Sequence, residues 1–348
     1  MFKNIKEMKL PETKIYLYAA VAVFVLIVAI LCYYMFAPFS DTGSTAYLYI
    51  DGDDTQDSVF TKLRPLGSTA GQAGLTTLLR HSGYADNVRT GRYAIEPQES
   101  PVRLFRKLKN GQQSPVSLTV PEARTARRLA ALLSGKLMVD SAEIAEALGS
   151  AEVCSKLGYD TCSIMAMIVP NTYEVYWNIG VDALLTRMQR EHDAFWNESR
   201  RQKAAALQLT PNEVATLASI IDEETANNAE KPMIAGMYIN RLHQGMPLQA
   251  DPTIKFALKD FALRRIYQKL LLVDSPYNTY QHEGLPPGPI KVASQKGIDA
   301  VLNAVSHDYL YMCAKEDFSG THNFAATYAE HLRNAARYAK ALNERGIK

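Results

Sequence analysis

The stretch that decides the fold is residues 209–225, which read LTPNEVATLASIIDEET. Thr210 can cap a helix, Pro211 suits the first helical position, and Glu213 completes a Thr-x-x-Glu capping box. Apolar residues then recur at helical spacing, at Val214, Leu217, Ala218 and Ile221. The stretch therefore predicts a helix with one buried face.

The predicted buried face ends in a carboxylate, because Glu224 follows Ile221 by three residues. Asp222 and Glu223 fall off this face, and we expect both to be more exposed. Burial disfavours the charged form of a carboxyl group and raises its pKa, and an acid that stays protonated near neutral pH can act as a general acid. The structural alternative is an acidic helix end in which Glu224 forms a salt bridge.

The composition is that of an ordinary globular protein of 348 residues, 47% hydrophobic and 21% charged, with a net charge of +2. The length allows two domains with additional segments. The sequence contains no basic stripe of the kind that nucleic-acid-binding proteins carry, so we expect no nucleic-acid partner. Cys154 and Cys162 are close enough in sequence to pair in an oxidising compartment, which leaves their redox state open.

A membrane anchor is predicted near the N-terminus. Residues 15–40 contain no charged side chain and are long enough to cross a bilayer as a helix, with tyrosines and phenylalanines at both ends. The lysines in residues 1–14 predict that this tail stays in the cytoplasm and that the remaining chain faces outward. A cleaved signal peptide is the alternative. Removing residues 1–40 is expected to leave a soluble domain.

Two domains are predicted after the anchor, giving an α+β protein. Residues 41–115 read as a succession of strand, helix, helix, strand and helix, which suggests a small α+β module. Residues 116–348 form the second, mixed α/β domain, which carries the helix of Glu224. A second helix is predicted over residues 231–243, followed by a loop at residues 248–253.

A long irregular passage at residues 274–290 is rich in proline and glycine, with interleaved tyrosines. Such a loop is costly to order unless it is used. Aromatic faces and polar groups of this kind suit a carbohydrate groove. Other chemistry is not indicated: the sequence contains no G-x-S-x-G elbow, no H-E-x-x-H, no P-loop and no C-x-x-C spacing. We therefore expect neither a metal nor an organic cofactor.

Several blocks in register make the chain resemble the endolytic murein transglycosylase family (YceG-like). The blocks are residues 217–225, 230–242, 245–253, 277–280, 284–290 and the His-x-Phe at residues 322–324, and the resemblance spans about residues 85–345. The chain departs from the family pattern at Asp222, where the family usually has glutamate, and at Ala250, where it usually has threonine. Neither departure affects Glu224.

The resemblance implies that Glu224 is the catalytic glutamate and that residues 41–115 form a LysM-like module. It implies cleavage of the MurNAc–GlcNAc bond within nascent peptidoglycan glycan strands, leaving 1,6-anhydro-MurNAc ends. It also implies a single-pass protein of the inner membrane, with its catalytic domain in the periplasm, acting beside peptidoglycan synthases to end strand elongation.

In the expected mechanism, protonated Glu224 donates to the glycosidic oxygen and then takes the proton of the sugar's own C6 hydroxyl, so one carboxyl serves as acid and base. The candidate substrate-binding residues are Gln249, Asp251, Tyr277, Asn278, Thr279 and His322; Gln249, Tyr277 and Asn278 could instead shape the loop. Two alternatives stay open. One is a hydrolytic muramidase with Asp251 or Asp222 as the second carboxylate, and the other is a non-catalytic, membrane-anchored cell-wall binder.

Overall fold

A computed structural model describes residues 12–40, 43–263 and 265–346, and the chain divides into two compact units. The first unit comprises Met1–Val116 and Val175–Asn178, and the second comprises Ser117–Glu174 and Ile179–Lys348. Both units contain helices and strands, so the protein is a mixed helix-and-sheet fold. The predicted cytoplasmic lysines other than Lys14 lie outside the described residues.

The first helix, α1 (Glu12–Phe36), contains a span long and apolar enough to cross a membrane, Lys14–Phe36. At 1.5 Å per residue its 23 residues extend about 35 Å, which exceeds the thickness of a bilayer's hydrocarbon core. The apolar side chains along this helix lie on the surface of the protein, which is compatible with a single-pass anchor.

The first unit repeats the succession predicted from the sequence. Its elements are β1 (Ala46–Ile50), α2 (Gln56–Leu63), α3 (Thr69–Arg80), β2 (Gly91–Ile95) and α4 (Pro101–Asn110). The two strands pair antiparallel, with Leu48 opposite Tyr93, and one face of this sheet is buried against the helices. The alternation of buried and exposed residues along β1 follows from the two-residue period of a strand.

The end of the predicted anchor segment belongs to this unit. Phe39 is fully buried in its core, the Phe39 amide donates to the Glu99 carbonyl, and the Ser68 amide donates to the Phe39 carbonyl. The carbonyl of Tyr34 in α1 contacts α3 at Gly74, where a Cβ atom would collide with it. A chain lacking residues 1–40 would therefore lose part of this core, and its solubility stays a prediction.

The second unit is largely helical. Its helices are α5 (Ala126–Ser134), α6 (Ser141–Gly149), α7 (Ala151–Lys156), α8 (Val181–Phe195), α9 (Glu198–Ala206), α10 (Pro211–Glu224), α11 (Lys231–His243), α12 (Asp251–Leu258), α13 (Gln295–Leu302) and α14 (Tyr328–Glu344). Two further two-stranded sheets are formed by β3 (Val116–Thr119) with β4 (Thr172–Val175), and by β5 (Tyr311–Ala314) with β6 (His322–Ala325). Cys154 and Cys162 are both free thiols.

Helix α10 lies at the centre of the second unit. Its capping box forms as predicted: the Glu213 amide donates to the Thr210 hydroxyl, and the Thr210 amide donates to the Glu213 carboxylate. Every residue from Val214 to Ile221 is buried, because neighbouring helices cover the polar face of α10 as well as the apolar one. The helix is therefore enclosed on all sides rather than along one face.

Candidate active site

Glu224 is the last residue of α10 and lines an open cleft of about 330 Å³ in the second unit. Residues of α11, α12, the 274–290 loop and the β5–β6 hairpin line the same cleft. The loop before α12 and helix α14 contribute Gln249 and His331, so the cleft is built where the C-terminal end of the central helix meets several segments that are distant in sequence. The cleft is open to solvent, so a polymer can enter it, whereas the sites of small ligands are usually more enclosed.

The carboxyl of Glu224 is held by Tyr238, whose hydroxyl donates to Oε1 over 2.8 Å. Burial raises the pKa of Glu224 to about 7, although the hydrogen bond from Tyr238 opposes this increase. The negative charge of Asp251 raises the same pKa, while His322 and Lys255 lower it. Glu224 therefore keeps a substantial protonated fraction near neutral pH, as a general acid requires.

Asp251 stands at the start of α12 and lines the same cleft. The hydroxyl of Tyr280 donates to its Oδ1 over 2.6 Å. Burial and the hydrogen bond to Asp251 both raise the pKa of Tyr280, so this hydroxyl remains a donor. Asp251 makes no side-chain cap for α12, since the N-cap position is Ala250. The hydrogen bond from Tyr280 therefore positions Asp251 toward the cleft, and the Asp251 side chain does not cap α12.

Gln249 is an exposed residue on the wall of the cleft, and its backbone has a left-handed φ of 51°. A non-glycine residue seldom adopts this conformation unless its surroundings impose it. Here the Gln249 amide donates to the Thr279 carbonyl, and the Ala250 amide donates to the Thr279 hydroxyl. The 274–290 loop thus fixes the backbone that presents Gln249 and Asp251.

The structure brings Gln249, Asp251 and His322 to the cleft of Glu224. The other three candidates, Tyr277, Asn278 and Thr279, do not line this cleft. Asn278 is fully buried and donates to the carbonyls of Leu271 and Val273. Thr279 is buried beside Thr253, and the Tyr277 ring packs against Phe256 at 4.6 Å. Asn278 and Thr279 therefore organise the loop, which is the alternative that the sequence left open for Asn278.

The two other carboxylates at the end of α10 have separate environments. The Asp222 side chain is 2% exposed and pairs with Lys231 at 2.6 Å, while its oxygens also accept from the Ser294 amide and hydroxyl. Our expectation that Asp222 is exposed is wrong, because α11 and α13 cover this side of the helix. Glu223 remains partly exposed and pairs with Arg124 at 2.8 Å.

His322, the first residue of β6, contacts a second buried acid. Its amide donates to Glu230 Oε1 over 2.7 Å, and its ring Nδ1 lies 2.9 Å from Glu230 Oε2. Arg241 also reaches the cleft from α11, where its guanidinium donates to the carbonyls of Leu310 and Leu248. Within the described ranges, no group of His, Cys, Asp and Glu side chains has the arrangement of a metal site.

Sequence reasoning missed Tyr238, Tyr280, Arg241 and Glu230. All four lie inside the segments that carry the family resemblance, but their sequence positions give no sign that they face Glu224. Tyr238 is 14 residues from Glu224 and Glu230 is 92 residues from His322, so only the packing of α11 and of the hairpin brings these groups together.

A carboxylic acid with a pKa near 7 in an open, polar cleft is the arrangement of a candidate general acid–base site. The model of the YceG-like family matches residues 48–337, which is most of the chain. The chain belongs to the YceG-like family. This confirms at family level the resemblance found in the sequence.

The curated relatives described here have the same name. An endolytic murein transglycosylase of Bacillus subtilis is 35% identical over 165 residues, covering 47% of this chain and 44% of the relative. An endolytic murein transglycosylase of Streptococcus pneumoniae is 25% identical over 348 residues, covering 86% of this chain and 60% of the relative. This chain therefore spans between about two fifths and three fifths of the length of these relatives.

A solved structure shows the same fold. The crystal structure of a putative YceG-like protein from Listeria monocytogenes aligns with a TM-score of 0.55 at 24% identity. The alignment covers 84% of this chain and 99% of that chain. At this level of identity the likeness concerns the fold alone.

Proposed function

We propose that this protein is a membrane-anchored lytic transglycosylase that cleaves the MurNAc–GlcNAc bond within peptidoglycan glycan strands and leaves 1,6-anhydro-MurNAc ends. The observation that carries the proposal is the carboxyl of Glu224, whose pKa burial raises to about 7 in an open cleft. The names of the curated relatives, both endolytic murein transglycosylases, support the same activity and the same class of substrate.

In the proposed mechanism, protonated Glu224 donates to the glycosidic oxygen as the bond to C1 breaks. The C6 hydroxyl of the same sugar attacks C1, forms the C1–O6 bond and gives its proton to a basic side chain of the cleft. This internal nucleophile replaces the water or second carboxylate of an ordinary glycosidase. Tyr238 holds the carboxyl in position through its hydroxyl. The raised pKa of Glu224 provides the proton near neutral pH.

Gln249, Asp251 and His322 are the proposed contacts to the glycan, because each lines the cleft beside Glu224. We assign Asn278 and Thr279 an indirect role, since their hydrogen bonds fix the loop that presents Gln249 and Asp251. Tyr277 supports the same loop through its ring contact with Phe256.

The remaining features complete the proposal. Helix α1 is the anchor at residues 15–36, with the N-terminus in the cytoplasm and the catalytic domain, residues 116–348, in the periplasm. The sheet and helices of the first unit form the LysM-like module. Action near the inner membrane suits a role beside peptidoglycan synthases, where cleavage ends the elongation of a strand.

A hydrolytic muramidase is the second candidate. One observation favours Asp251 over Asp222 as its second carboxylate. Asp222 is buried in its pair with Lys231 and lies outside the cleft, whereas Asp251 lines the cleft with Glu224. The hydrolase therefore requires Asp251 to activate water. The two candidates differ in product, because hydrolysis adds one water and leaves a reducing end.

The test uses the full chain in detergent micelles with uncrosslinked glycan strands, and mass spectrometry of the products. The expected result is anhydro ends from the wild type and none from Glu224→Gln. Glu223→Gln is the matched control on the adjacent residue, and its activity should stay within about threefold, because its exposed pair with Arg124 contributes little.

Each other result points to a different conclusion. Reducing ends from the wild type would establish the hydrolase. Glycan binding without any product would indicate the non-catalytic cell-wall binder. Equal losses in Glu224→Gln and Glu223→Gln would mean that the wrong glutamate of α10 has been assigned.

A further inference from the structure

A carboxylate–histidine pair lies beside Glu224. Glu230 occupies the N-cap position of α11, and His322 begins strand β6 on the wall of the cleft. Both Glu230 oxygens are engaged by the same histidine, one by its amide at 2.7 Å and the other by its ring Nδ1 at 2.9 Å. Two bonds between the same two residues fix both the backbone position and the orientation of the ring.

The orientation of the ring determines which nitrogen can take a proton. The Glu230 side chain is 8% exposed and accepts from the His322 amide, so its carboxylate accepts from Nδ1–H as well. Nε2 of the neutral ring then keeps its lone pair. Among the residues that the structure describes, none hydrogen-bonds to this nitrogen. His322 therefore brings an unoccupied proton acceptor to the cleft.

The proposed reaction has a use for such an acceptor. Two protons move when the glycosidic bond is exchanged: one reaches the departing oxygen, and one leaves the C6 hydroxyl that attacks C1. If Glu224 handled both, the second transfer would have to wait until the carboxyl had lost its first proton. A second group allows both transfers in one step.

We propose that His322, oriented by Glu230, accepts the proton of the attacking C6 hydroxyl while Glu224 protonates the departing oxygen. This inference rests on the proposed transglycosylase function. The C1–O bond to the departing sugar breaks, the C1–O6 bond forms, and one proton passes from Glu224 to that oxygen as another passes from O6 to Nε2. Solvent then returns the proton from His322 to Glu224, so the enzyme is unchanged.

The charges around the cleft are compatible with this assignment. Glu224 and Asp251 face it as acids, and Arg241 and Lys255 lie on the neighbouring helices α11 and α12 as bases. His331 of α14 also lines the cleft, but its Nδ1 is buried without a partner in the described structure, and burial lowers its pKa. Among the described residues no carboxylate hydrogen-bonds to His331, so His322 is the histidine that is oriented to accept a proton.

The experiment compares His322→Gln and Glu230→Gln with the wild-type full chain in micelles, measuring kcat and KM on uncrosslinked glycan strands from about pH 4.5 to about pH 9. The matched control is His243→Gln, an exposed histidine at the end of α11. Removal of a general base is expected to lower kcat by about 100-fold or more in His322→Gln, with KM within about threefold.

The pH profile separates a proton acceptor from a structural contact. An acidic limb of kcat/KM that depends on the general base should be present in the wild type and absent in His322→Gln. In Glu230→Gln the amide keeps one bond to His322 but removes the negative charge, so the acidic limb should move to lower pH. This second variant also carries the test if His322→Gln does not fold.

Two results would overturn the assignment. The first is a uniform loss of activity across the pH range with the acidic limb unmoved in Glu230→Gln, which is what a structural contact predicts. The second is a His322→Gln enzyme within threefold of the wild type. In both cases the wild type still forms anhydro ends, so the transglycosylase function stands; if the wild type forms none, both assignments fail together.

Discussion

At the scale of single residues, the environment of Glu224 combines two opposing effects. Burial raises the pKa of this carboxyl, and the hydrogen bond from Tyr238 lowers it, leaving a value of about 7. A stronger opposing bond would leave too little protonated acid near neutral pH, whereas its complete absence would raise the pKa further and leave a weaker acid. The tyrosine therefore sets the proton affinity of the acid as well as its position.

Tyr238→Phe is expected to move the alkaline limb of the cleavage rate to higher pH. Loss of a hydrogen bond worth about 1 kcal/mol to the carboxylate corresponds to roughly 0.7 pH units. The measurement is kcat/KM against pH on uncrosslinked strands, with Tyr267→Phe, an exposed tyrosine, as the control. A limb that stays in place or moves to lower pH would contradict the role given to this bond.

Glu224→Gln should become more stable than the wild type as the pH rises. The folded pKa of about 7 lies above the ordinary value of 4.5, so between these pH values the unfolded chain releases its proton while the folded chain keeps it. Stability of the wild type therefore falls across this interval by an amount on the order of 3 kcal/mol. Glutamine does not titrate and avoids this loss.

The check is thermal unfolding of both proteins at about pH 5 and about pH 8. The difference in Tm, Glu224→Gln minus wild type, is expected to be larger at the higher pH. An equal difference at both pH values would mean that the pKa of Glu224 is not raised by folding.

At the scale of elements, helix α10 shows what a sequence pattern can and cannot predict. The capping box and the apolar spacing are local, so they predicted where the helix begins and that Val214, Leu217 and Ile221 are buried. The burial of Asp222 depends on α11 and α13, which are distant in sequence. Periodicity identifies an apolar face but contains no information on what covers the opposite one.

Asp222→Ala is expected to destabilise the second unit by about 3–5 kcal/mol, because it leaves Lys231 buried without its partner and removes the acceptor for Ser294. Gly297 allows α13 to approach, since a Cβ atom there would lie 2.5 Å from Asp222 Oδ1. Denaturant unfolding measures the effect, with Glu223→Ala as the control and an expected loss of at most about 1 kcal/mol. Similar losses in both variants would refute the distinction between these two acids.

At the scale of the whole molecule, the sequence predicted an apolar span and an outward-facing remainder but placed the end of the anchor too late. A bilayer and a protein core both bury apolar side chains, so composition alone does not separate residues 15–36 from Phe39. The family relationship likewise followed from local blocks, whereas the grouping of Tyr238, Tyr280 and Glu230 around the cleft required the fold.

Two truncated chains should therefore differ. Removal of residues 1–36 deletes the contact of Tyr34 with α3 but keeps Phe39 and its backbone bonds to Glu99 and Ser68, so the first unit should unfold close to the temperature seen in the full chain. Removal of residues 1–40 deletes a fully buried phenylalanine, with an expected loss of about 3–5 kcal/mol in that unit. Thermal unfolding of both proteins makes the comparison, and identical curves would exclude Phe39 as a core residue.

The contact between α1 and the rest of the first unit also affects how far this unit can lie from the membrane. With the Tyr34 carbonyl against Gly74 and Phe39 already in the core, only two or three residues separate the apolar helix from the folded unit. If α1 spans the bilayer as proposed, this short connection is not a flexible linker. The first unit then stays at a constant height above the lipid head groups. The first unit itself would then be held at one distance from the bilayer surface, and its own contacts would be limited to molecules within that distance.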